Sequence, residues 1–183
     1  MKAMEDSDYW ADRHRYGERN TDRFVYDIDR LWPDDAELSD IFIGLTRRLQ
    51  DFYTIKKGVL ILNEPVATRF IATATWNNGK SRKNLSVKIP GTSSLFEKIA
   101  EFGRIYTDNF CHFFDGNAFE RNLLLDGETQ SFAVQPLKYE AEVVGLLGFS
   151  SDRPMAFATF EEGLLENIAR QFARRICRQR FRA

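Results

Sequence analysis

Cysteine is scarce: Cys111 and Cys177 are the two that the chain carries. They stand far apart and form no CxxC pair or Cys/His quartet, which argues against a zinc site or a disulfide framework and fits a reducing cytoplasm. Long apolar runs are missing too. No stretch approaches the roughly 18 apolar residues of a membrane span, and residues 1–16 alternate charge with aromatics where a signal peptide would show an apolar segment. Charge of one sign is also lacking, since 26 Lys and Arg balance 27 Asp and Glu for a net charge of −1. That balance argues against a general nucleic-acid binder, whose phosphate contacts need a basic surplus. Histidine is limited to His14 and His112, and glycine-rich phosphate loops are absent.

What the chain does have is aromatics, 14% of its 183 residues, with Phe alone supplying 16. Rings in this number furnish core filler or the walls of a pocket. Residues 1–33 differ from the rest, with acidic and basic side chains alternating around Tyr9, Trp10, Tyr16, Phe24, Tyr26 and Trp32. So little aliphatic surface buries poorly, and the segment is read as a charged, partly flexible N-terminal arm. Residues 34–183 are read as one domain.

Within that domain, Asp34 and Glu37 form a capping pattern ahead of Leu38, Ile41, Phe42, Leu45, Leu49 and Phe52, an apolar stripe at helical spacing. Val59 to Leu62 reads as a buried strand. Over 68–76, Phe70, Ala72, Ala74 and Trp76 alternate with Ile71, Thr73 and Thr75, so the first set is expected on one face. Leu85, Val87 and Ile89 predict a third strand. Ser94 with Glu97 opens a short helix that Gly103 ends, 104–108 predicts another short strand, and Asn117 caps a further helix. Residues 131–139 and 142–151 read as a hairpin around Glu140-Ala141. Thr159 and Glu162 cap a long helix with the stripe Phe160, Leu164, Ile168, Phe172 and Ile176. Antiparallel neighbours with flanking helices give an α+β class.

The run Phe132-Ala133-Val134-Gln135-Pro136-Leu137, then Val143-Val144-Gly145-Leu146-Leu147-Gly148-Phe149, then Ala156-Phe157 and the helix from Glu161 to Ile176 resembles the GAF family. The upstream elements fall in the same order. The resemblance implies a PAS-like antiparallel sheet of about six strands. The first and last helices would pack on one face, with a pocket on the other closed by loops between Trp76 and Gly127.

Segments that line such pockets place Phe70, Trp76, Tyr106, Phe110 and Phe119 as candidate ring contacts, with Arg104 and Asn109 as polar ones. Cys111-His112 resembles the attachment pair of bilin-binding relatives, though no Asp-Ile-Pro-like motif precedes it, and His112 is also a candidate haem ligand. Asn117, Phe119, Asp126 and Glu128 echo a cyclic-nucleotide signature without its Asn-Lys pair. Relatives that reduce free methionine sulfoxide need a nucleophilic and a resolving thiol, for which Cys111 and Cys177 are the available residues. The reading is a sensory or regulatory GAF domain, not an enzyme, which binds a small molecule or protein partner. It would signal through its terminal helices, with no metal, nucleic acid or membrane, and its cofactor is unspecified. The alternatives are a thiol-dependent methionine sulfoxide reductase or a bilin- or haem-binding domain. The resemblance further implies a homodimer through the terminal helices. Because the sequence ends at Ala183, the output is expected in another protein, or the sequence is a fragment.

Overall fold

The computed structural model describes residues 31–50, 53–64, 69–158 and 164–182. The charged arm up to Arg30 with its Trp10 and His14, Phe52 of the first stripe, and the Thr159–Glu162 capping pair with Phe160 lie outside them.

The chain runs α1 (Leu38–Leu49), β1 (Lys57–Glu64), β2 (Arg69–Asn77), β3 (Lys80–Arg82), β4 (Val87–Lys88), α2 (Leu95–Phe102), β5 (Tyr106–Asp108), α3 (Ala118–Leu124), β6 (Ser131–Tyr139), β7 (Glu142–Ser151) and α4 (Leu164–Arg182). The strands form one sheet in the order β3-β2-β1-β7-β6-β5, with β4 on β2. Each pairing is antiparallel. The architecture is α+β, with seven strands in place of about six. The extra one, β3, is exposed at every position, and an exposed strand leaves no apolar alternation to read.

Helix α1 begins later than its capping pattern implies. Asp34 and Asp35 lie in a turn, and the N-cap is Glu37, whose side chain makes no capping bond. The Glu37 carboxylate instead accepts from Asn84 Nδ2 at 3.0 Å. Downstream the stripe behaves as its spacing requires. Ile41, Phe42, Leu45 and Leu49 are buried, and Phe42 stacks on Phe149 of β7 with centroids 6.2 Å apart. Helix α4 lies on the same face, packed on β6 and β7 and touching α1, where Gln179 Nε2 donates to Ala36 O at 2.9 Å. Its stripe of Leu164, Ile168, Phe172 and Ile176 is consumed by this packing. Solvent sees Glu166, Arg170, Arg174 and Arg178.

A bulge in β2 divides the side chains that alternation assigns to one face. Leu60 pairs with Ala74 but Ile61 pairs with Ala72, leaving Thr73 as an extra residue. An inserted residue reverses the facing of the side chains on one side of it relative to the other. Phe70 and Ala72 therefore join Val59 and Ile61 on the face away from α1 and α4. Trp76, opposite Gly58, lies on the α1 side, with the Arg47 guanidinium 5.7 Å over its ring.

Helices α2 and α3 cover that second face. Gly148 is what lets α3 settle. A β-carbon there would stand 2.9 Å from Val59 Cγ1 and 3.0 Å from Leu124 Cδ1, closer than packed carbons approach. Beneath the helices, Phe96, Leu124, Phe132, Val134, Ile61 and Leu146 are fully buried.

Candidate ligand-binding face

The second face is assembled around the edge strand β5. Tyr106 pairs with Val134 and its ring stacks on Phe132 at 5.7 Å, while Phe114 meets the same ring at 5.6 Å. Burial raises the Tyr106 phenol pKa, helped by the charges of Asp108 and Asp115. At the end of the strand the chain turns on Asp108, whose Oδ1 accepts from the amides of Phe110 at 3.1 Å and Cys111 at 2.8 Å. That turn holds Cys111 at φ +48°.

Cys111 is half-buried against the core. Burial pushes its thiol pKa up, Asp108 adds to the effect, and Arg121 partly offsets it. His112 is exposed, its ring stacked on Phe110 at 5.8 Å. Asn109 accepts from the Met155 amide at 2.7 Å through its carbonyl, and its Oδ1 is buried with no partner. Phe119 packs partly buried against the core, and Phe70 lies within it. Arg104 is exposed and, with Ile99, Phe102, Ile105 and Tyr106, lines an open depression of about 500 Å³. Of the nine residues singled out in the sequence, Phe70, Tyr106, Cys111 and Phe119 belong to or pack against this core and Arg104 borders its depression, while Asn109, Phe110 and His112 lie in the turn that follows β5. Trp76 is the exception, turned to α1 by the Thr73 bulge.

Two buried charges hold the helices that frame the face. Glu120 has no exposed surface. Its carboxylate accepts from Leu95 N at 2.9 Å, Phe96 N at 3.1 Å, Asn117 N at 3.2 Å and the Ser94 hydroxyl. It therefore closes the capping box of α3, where its own amide donates to Asn117 Oδ1 at 2.9 Å, and caps α2 as well. An anion between two helix N-termini suits both dipoles. Ser94 accepts from Glu97 N at 3.0 Å as the N-cap, but the reciprocal role falls to Glu120. At the other end of α3, Lys57 Nζ donates to Asn122 O at 2.8 Å and Leu125 O at 2.9 Å. Burial lowers the Lys57 pKa, opposed by Asp126. The spacing Asn117-x-x-Glu120 is legible as a capping box. Nothing in the sequence marks the second helix that Glu120 caps, nor Lys57, a residue type that ordinarily stays in water.

Among the described residues, no group of three His, Cys, Asp or Glu could hold a metal ion, and no helix is long and apolar enough to cross a membrane.

No curated protein matches the sequence. Solved structures match along most of its length. The GAF domain of a phosphoenolpyruvate-protein phosphotransferase from Coxiella burnetii aligns with a TM-score of 0.70 at 16% identity, covering 90% of this chain and 96% of that one. Free methionine-R-sulfoxide reductase from Neisseria meningitidis, solved with its substrate, gives 0.68 at 13%, with 89% and 92% covered. The GAF domain of a two-component sensor histidine kinase from Bacillus halodurans gives 0.62 at 15%, with 78% and 95% covered. At these identities the likeness is one of fold. The family model for the GAF domain matches residues 37–176, and the sheet order and helix placement agree with it: the chain belongs to the GAF domain family.

Proposed function

We propose that this chain is a non-catalytic regulatory GAF domain that binds a ligand or partner on the β5 face and relays that state to α4. The observation that carries the reading is the double use of β6. Phe132 and Val134 point into the ligand face beneath Tyr106, while the opposite side of the same strand supports α4. A shift of β5 has a short mechanical route to the last helix. Because the apolar stripe of α4 is spent within the chain, a dimer through the terminal helices would join through their charged outer faces. An output protein would meet the same surface.

The thiols support a non-catalytic role. Cys111 packs on the α2/α3 side and Cys177 is buried in α4 on the other, so the sheet separates a pair that would need Cα atoms within about 7 Å. Burial also raises both thiol pKa values, opposite to the activation a nucleophile needs. A thioredoxin-coupled assay with free methionine sulfoxide is expected to give no turnover; turnover lost in Cys111→Ser would overturn the reading. Relay is tested by hydrogen exchange, in which a saturating ligand is expected to change protection along α4.

A further inference from the structure

We propose that the depression between the end of α2 and β5 is a site for a small apolar carboxylate, its hydrocarbon body on Ile99, Phe102, Ile105 and Tyr106 and its charge held between Arg104 and Lys138. The inference rests on the reading that this face takes a ligand, and it names the ligand's class.

The apolar wall of the depression stands exposed. Phe102 is 76% exposed and Ile105 43%, yet both border a depression of about 500 Å³, a volume that suits a small molecule. Large apolar side chains left in water beside a concave surface offer area for a ligand to cover. The polar half is uncompensated charge. Gly103, at φ +59°, ends α2 and turns the chain so that Arg104 comes directly after it. Lys138 of β6 lies over that turn, its Nζ 3.0 Å from where a β-carbon on Gly103 would stand. Two cations therefore flank one glycine at the wall of an apolar depression, and neither makes an ion pair among the described residues. The acids acting on Tyr106 are already engaged, Asp108 by two backbone amides and Asp115 by Lys98 at 2.8 Å. Glu101, exposed on α2, reaches neither cation. A carboxylate would supply the missing charge to an arginine fork and an ammonium. Its apolar remainder would cover the rings, and a neutral analogue of the same shape would gain only the second contribution.

The test uses the full chain with phenylacetate and its neutral isostere phenylacetamide, titrated by calorimetry and by backbone amide NMR. Phenylacetate is expected to saturate with shifts centred on residues 99–106 and on Lys138. Phenylacetamide should bind about a hundredfold more weakly, about tenfold for each of the two charge-assisted contacts it lacks. Arg104→Gln and Lys138→Gln, both at exposed positions, should each weaken phenylacetate by about tenfold while leaving the melting temperature unchanged and weakening phenylacetamide far less. Equal affinity for acid and amide, full affinity in the Arg104→Gln/Lys138→Gln double variant, shifts centred elsewhere, or no saturation up to the solubility limit would each overturn the proposal. The regulatory reading fails separately. It falls if phenylacetate saturates this depression and hydrogen exchange along α4 does not change.

Discussion

On the α1/α4 side of the sheet the apolar stripes of both helices are buried, whereas on the α2/α3 side a buried core gives way to a rim of rings left in water. Ile41, Phe42, Leu45, Phe149, Ile168 and Phe172 are at most 1% exposed, but Phe102, Phe110 and Phe113 are each more than half exposed. The helices differ in the same sense. α1 and α4 have 12 and 19 residues and are fixed by apolar stripes, while α2 and α3 have 8 and 7. Helices that short are marginal alone, and here Glu120 and Lys57 pin them through backbone groups that would otherwise go unsatisfied. One face supplies stability; the other has its framing elements held at a few polar points and keeps its apolar rim free.

The largest effect should come from breaking the first face. Phe42→Ala removes a ring that stacks on Phe149 and fills the space over Gly58. A loss of about 3–5 kcal/mol in unfolding free energy is expected, measured by urea denaturation. A loss under about 1 kcal/mol would mean that α1 is not part of the cooperative core.

Second is Glu120→Gln. The amide keeps the shape but has one acceptor oxygen for four donors, and its own NH₂ is turned toward backbone N–H groups. The expected cost is about 2–3 kcal/mol, with hydrogen exchange accelerating in α2 and α3 before α1 and α4. Uniform acceleration would contradict the division between the faces.

The legible part of the molecule is the part that periodicity can sense. The hairpin 131–139/142–151 is readable because apolar strands around a two-residue turn carry their own signal, and the structure places β6 and β7 at those bounds. The apolar stripes of α1 and α4 are readable for the same reason. Three features are not. The Thr73 bulge is set by pairing with β1, which no local window contains, so alternation alone puts Trp76 on the wrong face. The strand expected over Leu85, Val87 and Ile89 shortens to Val87–Lys88, although Leu85 and Ile89 still donate to β2 carbonyls at 2.9 Å each. Glu120's bonds to α2 span some 24–26 residues, and capping across that distance leaves no spacing rule. On the candidate site, the segment 104–119 can be located from its order in the chain. The position of Lys138 over Gly103 cannot, since it depends on the approach of β6 to the end of α2.

A smaller effect, visible through pH, tests the polar pins directly. Burial holds the Lys57 pKa below its ordinary 10.5, so between the lowered value and 10.5 the unfolded chain binds more protons than the folded one. Stability then rises with pH across that window as the folded-state penalty on the charged amine is relieved. In Lys57→Met this rise should disappear. The difference in denaturation midpoint between wild type and variant is therefore expected to move in favour of wild type as pH climbs through the alkaline range toward 10.5. A difference independent of pH would show that the amine is as well solvated in the fold as in the open chain.

The smallest expected change in stability is also the one that separates the two faces most sharply. Phe102 is the same residue type as Phe42 but is 76% exposed, so Phe102→Ser removes little buried area and should alter unfolding free energy by no more than about 0.5 kcal/mol. If the ring serves as the wall of a binding depression, the same substitution should weaken phenylacetate measurably while leaving the melting curve in place. Phe42→Ala should do the reverse, lowering stability while the folded fraction keeps its affinity. Two phenylalanines on opposite sides of one sheet would then show opposite patterns. A Phe102→Ser variant that loses stability as Phe42→Ala does would place that ring in the core and remove the apolar wall from the proposed site.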